Sequence, residues 1–162
     1  MARTPRERHE PVDLATAEVV LTGTQDLLPV LRAAAVRAGV DAGRMRVVHL
    51  DDLPDPDDRP DAELAVIAIR RRGDGPAFHR AQEAAERIEP LLAPNAVRVV
   101  VTVSGVTRLA PKVERTLTSE VLHQIGAASA TSGFRRPFRD LRSRLGLAGL
   151  RASGVRVFRI TL

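Results

Sequence analysis

Four short stretches of the chain carry side chains that could do chemistry. Thr22-Gly23-Thr24 offers two hydroxyls beside a glycine amide, and His49 stands close to Asp51 and Asp52. Arg70 opens an Arg-Arg-Arg-Gly-Asp-Gly run, and Ser104-Gly105 is followed closely by Thr107. Each stretch follows an apolar, β-branched segment and is therefore expected at a strand end. Hydroxyls, glycine-flanked amides and a guanidinium there could hold a phosphate or a carboxylate, provided that the strands run parallel and finish on one edge. Thr22, Thr24, His49, Asp51, Arg70 and Ser104 are the ligand-binding candidates on this argument.

No catalytic assignment follows from them. Ser104 lies in Thr102-Val103-Ser104-Gly105-Val106, which lacks the Gly-x-Ser-x-Gly elbow of a strand-to-helix nucleophile. His79 and His123 fall in helical stretches and His9 near the start, so only His49 meets a strand end, and no spacing sets up a Ser–His–acid geometry. Thr22 to Asp26 has neither the spaced glycines of a dinucleotide site nor a Gly-Lys-Ser/Thr, and reads as the lead into a helix capped by Asp26. Residues 51–61 hold six Asp and three Pro. Without a central glycine they read as a solvated acidic turn rather than a cation loop. The chain therefore reads as non-catalytic, with no metal site, and its residues name no cofactor.

A second group of cations stands apart from these. The formal net charge is +5, yet residues 107–162 carry eleven Arg and Lys against three acidic residues, while residues 1–106 are mildly acidic. Arg135, Arg136, Arg139, Arg142 and Arg144 concentrate that excess. A basic end on an acidic body points to a polyanion, either nucleic acid or an acidic protein. Ser119 to Gly126 resembles the first helix and turn of a helix-turn-helix, with Ala128 to Thr131 as the start of its second helix. The match is shifted by about one residue, and Pro137 would interrupt a recognition helix. The function expected is a binding or regulatory module that meets a polyanion through this Arg-rich C-terminal face. One alternative is a small enzyme or ligand-binding domain using the loops around Ser104. Another is a subunit of a larger assembly, a homo-oligomer included, joined through the strand edge at residues 155–162.

Composition bounds the remaining classes. The absence of cysteine excludes disulfides, thiolate metal sites and cysteine nucleophiles. Aromatic residues are 2% of the chain, with no Trp or Tyr, which weakens base-stacking single-strand binders and large aromatic-anchored interfaces. No apolar run reaches the length of a membrane span, and the polar N-terminus lacks a signal-peptide core. Residues 1–15 are expected to be a flexible basic leader, 16–162 a single domain, Arg-rich from about residue 107, and the location cytoplasmic.

The elements that must position these groups alternate in type. Strands are expected over residues 18–22, 45–50, 64–69, 97–103 and 155–162. A first helix opens near Asp26 and stops at Gly39. A second opens near Pro76 with Phe78, Ala81, Ala85, Ile88 and Leu92 on one stripe, and Pro90 is expected to end or kink it. A third runs from Pro111 to Ile125, with Gly126 after its last turn and a loop or weak strand beyond. A short Arg-rich helix is expected over residues 137–145. This order predicts a three-layer α/β domain with a mostly parallel sheet of five or so strands, the Val97–Gly105 run at its centre. The alternative is a ferredoxin-like βαββαβ core, followed by a basic C-terminal helical extension and a final edge strand. Strand three, apolar on both faces, favours the layered arrangement.

Overall fold

The computed structural model describes residues 11–50, 59–70, 77–104, 108–130 and 156–161. Strands form where β-branched and aliphatic residues crowd: β1 (Val19–Gly23), β2 (Met45–His49), β3 (Ala62–Arg70), β4 (Leu92–Ser104) and β5 (Arg156–Thr161). The helices are α1 (Leu28–Arg37), α2 (Ala77–Ile88) and α3 (Pro111–Ala130). The sheet order is β2-β1-β3-β4-β5, and every neighbouring pair is parallel. The chain therefore passes β1 on its way from β2 to β3, giving a doubly wound open sheet. β3 pairs with β1 and β4 rather than with β2, which overturns the ferredoxin-like alternative.

Alternation along the strands divides the core in two. Val19, Leu21, Leu64, Val66, Val99 and Val101 pack with α1 and α3, whereas Val20, Ala65, Ile67, Ile69 and Val100 pack with α2. This is the three-layer arrangement. A strand covered on both sides must be apolar at every position, and β3 is buried from Leu64 to Arg70. The middle of the sheet is therefore β3, with β4, which holds residues 97–104 of the Val97–Gly105 run, beside it rather than at the centre. β5 is an edge strand, as its pattern suggested.

Several boundaries differ from those the sequence suggests. A 3₁₀ turn at Gln25–Leu27 precedes α1, and Asp26 sits inside it rather than capping the helix. Pro29 lies in the first turn of α1, where a missing N–H costs nothing, and Gly39 follows its end with φ +105°. Leu92 belongs to β4 and not to the α2 stripe; Pro90 ends the helical run in the 3₁₀ turn Glu89–Leu91. Residues 1–10, 51–58 and 131–155 lie outside the described residues, and with them the first ten residues of the expected leader, Asp51 and the helix expected over 137–145; Val12 and Leu14, within that leader, pack against the α1/α3 half of the core.

α3 continues through Gly126 to Ala130 without a turn, which removes the helix-turn-helix reading. Ala127, Ala128 and Ala130 are good helix formers, and Val12 N–H donates to Ser129 O at 3.0 Å, holding this last turn. No heavy atom outside the local helix lies within 4 Å of a Cβ built on Gly126. Gly126→Ala is thus expected to raise stability by about 0.5–1 kcal/mol, read from the urea midpoint. Were Gly126 in a turn with positive φ, the same change would lower it. No helix among the described residues is long and apolar enough to cross a membrane.

Candidate functional site

In this strand order the connections from β1 and β3 leave for opposite faces of the sheet. α1 goes to one side and α2 to the other, which makes the carboxyl ends of β1 and β3 the topological switch point of the sheet. Gly23, Thr24, Asp26 and Arg70 meet there. The backbones of the two strand ends come close: a Cβ on Gly23 would lie 2.0 Å from Ala68 O. Thr24 N–H donates to Ala68 O at 3.0 Å, and its hydroxyl accepts the Arg70 N–H at 2.7 Å. The same hydroxyl donates to Ala68 O at 3.4 Å. Thr24 is thus a buried splice between the ends of β1 and β3.

Arg70 is buried, and its guanidinium is ion-paired with Asp26. The partner sits 44 residues away in sequence, brought into reach by the β1–β3 register. Asp26 Oδ1 is buried and accepts no hydrogen bond among the described residues. Buried as it is, that oxygen is an unmet acceptor beside the Arg70 guanidinium rather than a group presented to solvent.

The other candidates separate from this pair. Thr22 is buried inside the sheet, in register with Val48 and Ile67. His49 is exposed at the end of β2, opposite Gly23. Ser104 ends β4, three strands across from β2, which is roughly 14 Å at ordinary interstrand spacing. His49 and Ser104 therefore cannot form a hydrogen-bonded nucleophile–base pair. Alternation also places Ser104 on the α2 side of the sheet and Arg70 on the α1/α3 side, so the two do not face one ligand. Asp51 and the cluster Arg135, Arg136, Arg139, Arg142 and Arg144 lie outside the described residues. Among the described residues no group of three or more His, Cys, Asp or Glu could hold a metal ion.

One charged pair has no counterpart among the residues that the sequence singles out. Arg98, the only charge in the β-branched run of β4, donates from Nη2 and Nε to the two carboxylate oxygens of Glu89 at 2.8 and 3.2 Å. Its side chain is 8% exposed and that of Glu89 17%. A lone Arg in a buried strand signals that a carboxylate must be found nearby, though it does not say which one. Arg44–Glu18 and Arg46–Asp61 are more exposed pairs at the amino edge and add little stability.

Comparison with known protein families, with curated proteins and with solved structures finds no match. The functional reading therefore rests on the residues and their placement.

Proposed function

We propose that the protein is a non-catalytic binding module that meets a polyanion, nucleic acid or an acidic partner, through the Arg-rich stretch containing Arg135, Arg136, Arg139, Arg142 and Arg144. The distribution of uncompensated charge carries this reading. In the body of the domain the buried cations are matched internally, Arg70 by Asp26 and Arg98 by Glu89. The positive excess falls after residue 106, where eleven Arg and Lys stand against three acidic residues. Contact with a polyanion needs no motif, only several guanidinium groups whose counterion exchange drives binding.

Titration with a mixed-sequence DNA duplex and with polyglutamate tests it. Binding is expected to weaken steeply as salt rises. The combined change of Arg135, Arg136, Arg139 and Arg142 to Ala is expected to weaken it by about tenfold or more, because fewer phosphates are neutralised and fewer counterions released. Absent binding, or binding indifferent to salt, overturns the proposal.

A second reading draws on the topological switch point at the carboxyl ends of β1 and β3, where Thr24, Asp26 and Arg70 meet. It makes the protein a small-ligand binder at Thr24, Asp26 and Arg70. Amide resonances of these residues that stay unmoved across a metabolite panel would remove it.

A further inference from the structure

Among the described residues the two helical layers differ in charge. On the α2 side, Arg80 and Arg87 are balanced by Glu83 and Glu86, and Arg87 donates to Leu50 O. On the other side, α1 and α3 pack as neighbours over the same half of the core. Their exposed positions carry Arg32, Arg37, Lys112 and Arg115, and Arg108 just precedes α3; the acidic residues among them are Glu114 and Glu120. None of the five cations is engaged in an ion pair among the described residues. Arg37 has an ordinary explanation, since it lies in the last turn of α1, where the helix dipole favours a cation. The others do not. Arg108, Lys112 and Arg115 crowd the start of α3 and Arg32 the first half of α1, against the dipoles of both helices. Both helices start at the carboxyl edge, so these four cations and two positive helix ends share one half of a single face. Of the exposed carboxylates, Asp13 and Asp41 sit toward the amino edge, and Glu114 stands in the first turn of α3 among these cations.

We infer that this face binds duplex nucleic acid through its phosphate backbone, with Arg32, Arg108, Lys112 and Arg115 meeting the phosphates. The inference rests on the polyanion reading and adds a second surface and a partner class to it. Charge complementarity selects a polyanion. The chain has no Trp or Tyr to stack bases of a single strand or to anchor a protein interface. The large apolar side chains exposed among the described residues are Val36 and Val47, too few to seat a protein or a bilayer. A regular duplex asks only for spaced cations on a rigid surface, and two packed helices supply it.

The test uses the full chain with a mixed-sequence duplex, the same sequence as a single strand, and polyglutamate. Replacing Arg32, Arg108, Lys112 and Arg115 together by Ala is expected to flatten the slope of log affinity against log salt by roughly 3–4, each cation contributing about 0.9. Restoring the charge with Lys at the three Arg positions, leaving Lys112 unchanged, is expected to return the slope, which separates charge from fold. Duplex affinity and slope unchanged in the Ala variant overturn the inference. So does a single strand, or polyglutamate, that binds more tightly than duplex. If the Ala variant is unaffected while loss of Arg135, Arg136, Arg139 and Arg142 abolishes binding, the polyanion function stands and this surface is overturned. If the wild-type chain binds none of the three probes, both fall.

Discussion

Gly23→Ala is expected to lower the unfolding free energy by about 3 kcal/mol or more, well above an ordinary surface substitution. The added Cβ would stand 2.0 Å from Ala68 O, 2.9 Å from Ala68 C and 3.1 Å from Ala68 N. All three are backbone atoms, so no rotamer change relieves the clash. Nor can Ala68 retreat, because it is paired with Gly23 on one side and Val101 on the other. The strand ends must part, and parting them strains the bonds that Thr24 makes to Ala68 and Arg70. The urea midpoint should fall with the slope unchanged, and amide shifts should spread along β1 and β3. A midpoint equal to wild type would show that β1 does not end against β3.

Arg98→Met should cost about 3–5 kcal/mol, because it leaves the Glu89 carboxylate largely buried without its bidentate partner. For a domain of this size that is a fall in Tm of roughly 10 °C. The double change Arg98→Met with Glu89→Leu should recover most of the loss, since two apolar side chains of similar volume need no mutual neutralisation. Thermal unfolding of the two variants side by side decides it. If the single and double variants lost the same stability, the pair would matter through packing alone. The pair also explains why a charge is tolerated in β4: it ties the turn after α2 to the sheet.

Much of this architecture is legible in the amino-acid pattern, and the reasons are local. Leu64 to Ile69 has no polar face, which only a strand sandwiched between helices can tolerate. Pro29 and Gly39 bracket α1 through fixed φ and a left-handed stop. The misreadings are equally physical. Ala127 to Ala130 carries no long apolar side chain to mark a period, so a helical turn reads as a loop. Leu92 follows Ile88 at helical spacing, yet Pro90 has already diverted the chain. The site is less legible because it depends on register and parity. Nothing near Asp26 announces Arg70, and a polar residue at a strand end has no stated side until the alternation of its strand is known. That parity separates Ser104 from Arg70.

The strand order also governs how the domain can assemble as it is made. β1, α1 and β2 leave the ribosome before β3, and β1 then has its partner on one side only. Its other side is reserved for β3, whose last residue, Arg70, comes 21 positions after His49 at the end of β2. At ordinary rates of synthesis the nascent chain holds that open, mostly apolar strand edge for about 1–4 s. The acidic, proline-rich span at residues 51–61 is the part of the chain that emerges during this interval. It keeps charge, and a poor strand former, next to the growing end until the middle of the sheet arrives.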